Sequence, residues 1–175
     1  DEYGADVSLS AGVRWGTTTP AGEWITMEDV MTQCAMTYGE TYMNEMKGQD
    51  LMNVLEQVAD NLFDPDPYLQ SGGDMVRVGG LDYTIDPTKK LYERITDARL
   101  DNGDPIDPEK TYKVAGWAVV NRTPEGRLMW DVVRDHILKA RDPKENVLRL
   151  PKINPPKLVG ISDNPGIADY EGELG

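Results

Sequence analysis

Three segments of this chain carry more glycine than their surroundings require, each beside a side chain able to hold a ligand. The first is Ser10-Ala11-Gly12-Val13-Arg14-Trp15-Gly16. Glycines on both sides of an Arg-Trp pair let the backbone turn sharply and present both side chains from one loop. A guanidinium can bind an oxyanion through two parallel hydrogen bonds, and an indole can wall off solvent. A strand end whose arginine pairs with a nearby acid is the competing reading of Arg14. The second segment, Gly72-Gly73-Asp74-Met75-Val76-Arg77-Val78-Gly79-Gly80, lacks the spacing of a phosphate loop. Its two Gly-Gly pairs suggest close backbone approach, to a ligand or to another part of a protein, or simply two tight turns. The third, Ala115-Gly116-Trp117-Ala118-Val119-Val120-Asn121, has a tryptophan that could line a pocket or fill the core.

No Ser-His-Asp, Cys-His or paired-carboxylate arrangement accompanies them, so the sequence offers no catalytic residue for acid–base or nucleophilic chemistry. His136 is the only histidine and Cys34 the only cysteine. That count excludes a Cys/His zinc site and a histidine-rich two-metal centre within the chain. Asp101-Asn102-Gly103-Asp104 lacks the spacing of a calcium loop, and Asp64-Pro65-Asp66-Pro67 reads as a rigid turn. Cys34 falls at helical spacing among apolar residues and reads as a core thiol. His136, near a helix C-terminus, reads as structural or solvated.

The elements that must position these segments follow from periodicity. Ala5 to Ser10 alternates as a strand. Thr26 with Asp29 forms a capping box for a helix whose Met27, Val30, Met31 and Cys34 share a face. Thr41 to Lys47 predicts a strand. Leu51, Val54, Leu55, Val58, Ala59 and Leu62 mark the inner face of a helix that Asp64-Pro65 stops. Strands follow at Met75 to Val78 and Leu81 to Ile85. Asn102-Gly103 between Arg94–Leu100 and Thr111–Val120 predicts a hairpin joining those two strands. A last helix spans about Leu128 to Ala140, with Met129, Trp130, Val133, Ile137 and Ala140 inward. The pattern predicts an α+β fold, a single domain over 1–149 with a mixed sheet and flanking helices, and an extended Pro-rich tail over 150–175.

Composition narrows the partners. With 31 acidic against 18 basic residues, a net charge of −13 argues against nucleic acid. Any bound anion must be held by a local positive site against an unfavourable overall field. No apolar run approaches the roughly 18 residues that span a membrane, so no membrane partner is expected. The opening Asp1-Glu2-Tyr3-Gly4-Ala5-Asp6 is not a signal peptide and looks like the middle of a longer chain.

Taken in order, Ser10 to Arg14, the helix from Thr26, Lys47-Gly48, the helix from Leu51 and Gly80 to Ile85 resemble the C-terminal domain of the 5′-nucleotidase family. Asp107-Pro108-Glu109-Lys110-Thr111-Tyr112-Lys113-Val114-Ala115 is the closest local match, and the resemblance runs over about residues 5 to 140. It implies a substrate-binding domain, inactive alone, whose partner is an N-terminal metallophosphoesterase-like domain. Members that act on nucleotides sandwich the base between aromatic rings. This chain has Val78 or Gly79 at the first aromatic position and Asn121-Arg122-Thr123-Pro124-Glu125-Gly126 near the second. Base stacking is worth roughly 1–3 kcal/mol per base, so the loss of both rings argues against a nucleoside.

Gly12 to Gly16, Gly72 to Leu81 and Val114 to Ala118 together resemble the SoxB branch of the family, the thiosulfohydrolases of sulfur oxidation. That resemblance implies a periplasmic hydrolase with two Mn ions in the domain this chain lacks. Such an enzyme removes the sulfonate from a cysteine-S-sulfonate on the SoxYZ carrier during thiosulfate oxidation. It makes Arg14 the grip on the anionic group. Gly12, Trp15, Arg77, Gly79, Gly80 and Trp117 would line the channel for the carrier arm. The substrate domain of a 5′-nucleotidase or cyclic phosphodiesterase, and a non-catalytic carrier-docking domain, remain the alternatives.

Overall fold

The computed structural model describes residues 3–11, 18–34, 39–117, 126–148 and 152–161. Its elements, in chain order, are β1 (Val7–Ser10), α1 (Met27–Cys34), β2 (Thr41–Lys47), α2 (Gly48–Phe63), β3 (Arg77–Gly79), β4 (Leu81–Ile85), β5 (Ile95–Leu100), β6 (Thr111–Trp117), α3 (Met129–Ala140) and β7 (Lys157–Leu158). They form a four-stranded sheet in the order β2-β6-β1-β3 and a three-stranded sheet in the order β5-β4-β7. In the first, β1 and β6 run parallel while β2 and β3 are antiparallel to their neighbours. The fold is thus α+β with mixed pairing, as the pattern of elements predicts.

One core draws on both sheets. Val7 and Leu9 of β1, Tyr112 and Val114 of β6, and Leu81, Tyr83 and Ile85 of β4 alternate inward along their strands. Leu51, Leu55 and Ala59 of α2 complete it, all fully buried. Val54, Val58 and Leu62, expected inward as well, are only half-buried. The start of α2 is fixed without a side-chain cap: the Gly48 and Gln49 amides donate to the carbonyls of Lys110 and Pro108, at 2.9 and 3.0 Å. A Cβ on Gly48 would collide with the Asp107 carbonyl oxygen, so only glycine admits this approach. The Asp107–Lys110 turn and Lys47-Gly48, both singled out in the sequence, therefore serve one junction.

The expected hairpin does not join β5 to β6. Asn102-Gly103 does turn the chain, with the Gly103 amide donating to Leu100 O at 2.8 Å and the Leu100 amide to Asp104 O at 2.8 Å. Its return arm, however, amounts to one bridge between Arg99 and Pro105. Past Pro105, which has no N–H to offer, the Ile106 amide still donates to Ala98 O at 2.9 Å, but no strand forms on the return arm. β5 pairs instead with β4, and β6 enters the other sheet between β2 and β1.

Two helices also differ from expectation in what they bury. In α1, Val30 and Cys34 are buried, whereas Met27 and Met31 are exposed. No residue of α3 is fully buried, and Ala140 is exposed. The α1 capping box is present: the Thr26 amide donates to Asp29 Oδ2 at 2.7 Å, and the Asp29 amide to Thr26 Oγ1 at 3.2 Å. The Thr26 hydroxyl and amide hold the Asp29 carboxyl below its ordinary value. A depressed carboxylate pKa stabilises the fold above its unfolded value and loses that contribution as pH falls through the folded value. Thr26→Ala is therefore expected to lower Tm by about 2–4 °C at neutral pH and by less in strong acid, read by calorimetry across pH.

After α3, residues 152–161 run extended along the three-stranded sheet. β7 adds parallel to β4, and Lys152 Nζ reaches Asp101 at 2.6 Å. Among the described residues, no helix is long and apolar enough to cross a membrane.

Candidate functional site

The parallel pairing of β1 with β6 decides where the glycine-rich segments meet. Leu9 sits opposite Gly116, so the chain leaves β1 at Ser10 and β6 at Trp117 on the same edge of the sheet. Antiparallel pairing brings the start of β2 to that edge, Thr41 opposite Trp117, and the start of β3 as well, Arg77 opposite Ser10. Thr41, Trp117, Ser10 and Arg77 thus form a row across all four strands. Gly12, Arg14 and Trp15 lie outside the described residues, but the segment carrying them departs from this row directly after Ala11.

Trp117 does line a pocket. It belongs to the outer face of the sheet, away from the main core, yet is only 6% exposed. Its indole N–H donates to Ser10 Oγ at 2.5 Å, and the Ser10 hydroxyl donates to the Ala11 carbonyl at 3.0 Å. The pocket, about 430 Å³, lies between this face and the first turn of α3, within the size range of small-ligand sites. Met43, Trp117, Met129 and Val132 supply an apolar lining, interrupted by the hydroxyls of Ser8, Ser10 and Thr41.

Arg77 stands at the β3 end of this row. Arg94, Arg99, Arg127 and Arg134 are each ion-paired. Arg77 is exposed and has no carboxylate partner among the described residues; its one hydrogen bond is a long 3.5 Å contact to the Met75 carbonyl. Its charge partly offsets the burial that raises the Tyr83 phenol above its ordinary value.

Gly79 and Gly80 are at the other end of β3, and packing accounts for both. A Cβ on Gly79 would meet Ser8 Oγ at 2.5 Å. Gly80, at φ +76°, carries the chain from β3 to β4 where a Cβ would meet the Asp6 carbonyl oxygen at 2.5 Å. Trp117 and Arg77 thus lie in one row with the β1 strand between them, and Gly79 packs against Ser8 two residues along β3.

Sequence reasoning missed the pocket's far wall. Gly126 passes so close to Thr41 that a Cβ would collide with its carbonyl oxygen. The Thr41 amide donates to Arg127 O at 2.8 Å, and the Met129 amide to Gly39 O at 2.6 Å, fastening the start of α3 to the start of β2. Arg127 at the rim donates to the Tyr3 hydroxyl at 2.9 Å and to the Asp135 carboxylate. The Asp135 and Tyr3 bonds raise its guanidinium above its ordinary value, and the same carboxylate also accepts from Arg134. Its charge is thus spent within the protein. These contacts link residues up to 124 positions apart, so no local signal announces them.

Residues 1–126 match the model of the 5′-nucleotidase C-terminal domain. The chain belongs to that family. Among solved structures, the sulfate thiohydrolase SoxB of Thermus thermophilus, in complex with glycerol, is similar at 30% identity and a TM-score of 0.77, over 92% of this chain and 30% of that one. A 5′-nucleotidase precursor, also from Thermus thermophilus, aligns at 18% identity and a TM-score of 0.68, over 92% of this chain and 33% of that one. The NAD nucleotidase of Haemophilus influenzae aligns at 17% and 0.63, over 88% of this chain and 30% of that one. The last two likenesses speak for the fold alone. No curated protein sequence is significantly similar. The chain spans about a third of the length of each of these solved proteins.

Proposed function

We propose that this family domain is the substrate-binding part of a SoxB-like thiosulfohydrolase, which removes a sulfonate from a cysteine-S-sulfonate on a SoxYZ-type carrier. The carrying observation is the row at the sheet edge. An arginine free of carboxylate partners among the described residues stands there beside the strand end that leads into Gly12–Gly16. Two guanidiniums, Arg14 and Arg77, would then face one anionic group in a protein of net charge −13. The 30% identity to SoxB over nearly the whole chain supports the same reading.

The two manganese ions of such an enzyme belong, in this proposal, to a metallophosphoesterase-like domain joined to this chain, in a periplasmic protein. The described residues do not fit a metal centre, since no three His, Cys, Asp or Glu side chains gather. The work of this chain is to hold the anion, to wall off solvent with Trp15 and Trp117, and to admit a thin peptide arm.

The test is an assay of the full-length, metal-loaded protein on AMP and on a sulfonated carrier peptide. Release of sulfate from the peptide with little phosphate from AMP is the expected result. Preference for AMP would turn the assignment to a nucleotidase, and binding of the carrier without turnover to a docking domain.

A further inference from the structure

We infer that residues 152–161 are an edge guard: they cover the outer edge of β4 and keep that strand from pairing with a second copy of this chain.

An open strand edge offers a row of unpaired N–H and C=O groups to any other extended chain. β4 is a ready template of this kind, because its buried Leu81, Tyr83 and Ile85 and its pairing with β5 hold it extended from the other side. The segment 152–161 follows it in parallel. Asn154 Nδ2 donates to Asp82 Oδ1 at 2.8 Å, and Lys157 and Leu158 lie opposite Thr84 and Ile85. The Val159 amide then donates to Ile85 O at 3.0 Å. Gly160, at φ +77°, passes so close to Asp86 that a Cβ would collide with its carboxylate.

The strand that replaces β4 at the edge is a poor template. β7 has only two residues, and Pro155 and Pro156 before it have no N–H to offer. The opposite edge of the same sheet is closed in a similar manner. There Pro105 and Ile106 lie along β5, through the bridge to Arg99 and the bond to Ala98 O. Both edges of the three-stranded sheet therefore end in short, proline-bearing segments.

Pairing over two residues is too short to hold the whole segment against the entropy of ordering it. A clasp at its start adds the rest. Lys152 Nζ reaches Asp101 Oδ1 at 2.6 Å and Asp82 Oδ2 at 3.5 Å, and Asn154 Nδ2 donates to Asp101 Oδ1 as well, at 2.8 Å. One ammonium and one amide thus bind two carboxylates that would otherwise repel each other. The charged side chains of the clasp are about half exposed, so one charge reversal opens it without disturbing the core.

Lys152→Glu makes the clasp repulsive, and Gly160→Ala crowds Asp86 at the other end of the segment. In the full-length protein, each is expected to speed hydrogen exchange of the Val159 amide about tenfold. Each is also expected to raise the mass in light scattering to about twice that of the wild type, as freed β4 edges pair. Circular dichroism checks folding, and either variant suffices for the test. Faster exchange at the wild-type mass overturns the guard. Unchanged exchange in the folded variants overturns the clasp, and the inference with it.

Discussion

Arg14→Ala in the full-length, metal-loaded protein is expected to slow kcat/KM for a sulfonated carrier by on the order of 10²-fold or more, the loss seen when one preorganised donor to a developing anion is removed. The expectation follows from charge. With 31 acids in the chain, the average field repels a sulfonate, and a guanidinium at the binding point must overcome it. Arg14→Lys should recover only part of the loss, because an ammonium does not offer two parallel donors. Arg77→Ala, at the same edge but on the neighbouring strand, should cost less and act mainly on KM. Steady-state kinetics on the carrier peptide, with circular dichroism to check folding, decide the matter. Wild-type rates in Arg14→Ala would remove that residue from the site.

The largest effect on stability is expected at Glu56. This carboxylate is 4% exposed on the core side of α2. It accepts the Tyr92 amide at 2.9 Å and the Ile95 amide at 2.6 Å. Arg94, between them in sequence, is also buried and pairs with Asp60, one turn further along α2, at 2.5 Å. Two carboxylates at i and i+4 thus pin the entry of β5, where Tyr92 adopts a left-handed φ of +68°. Glu56→Ala would leave the buried Ile95 N–H and the part-buried Tyr92 N–H without this acceptor. Each lost bond to a charged acceptor is worth about 1.5–3 kcal/mol, so a loss of about 3–5 kcal/mol is expected in urea unfolding. Glu56→Gln keeps one acceptor oxygen and should fall between. A loss below about 1 kcal/mol in Glu56→Ala would mean that water or another group takes over both amides.

Glu56 also illustrates what periodicity reads and what it misses. The apolar spacing of Leu51, Leu55 and Ala59 specified the helix and its inner face, because burial recurs every 3.6 residues whatever the helix packs against. It could not say that a carboxylate beside Leu55 would be buried too. That depends on two amides 36 and 39 residues later whose N–H groups have no ladder partner. Val54, Val58 and Leu62, apolar but half-buried, show the converse: hydrophobicity permits burial without requiring it.

The glycine-rich segments divide the same way. Side-chain type alone picked out Arg14-Trp15, Arg77 and Trp117 as groups suited to an anion and a wall, and family resemblance gave Arg14 its proposed role. Local signals fixed the capping box at Thr26, the strand at Thr41–Lys47 and the turn at Asn102-Gly103, since each is set by residues within a few positions of one another. Which strands pair is decided by contacts over dozens of residues, and there the hairpin expectation failed. The return arm after Asn102-Gly103 makes only a short contact with β5, and β6 lies instead beside β1. That insertion, parallel and in register at Leu9 and Gly116, puts Trp117 beside Ser10, and the antiparallel pairing of β3 with β1 brings Arg77 to the same edge. The sequence determined which residues could hold an anion; the tertiary pairing decided which of them stand together, because register across a sheet is a non-local choice.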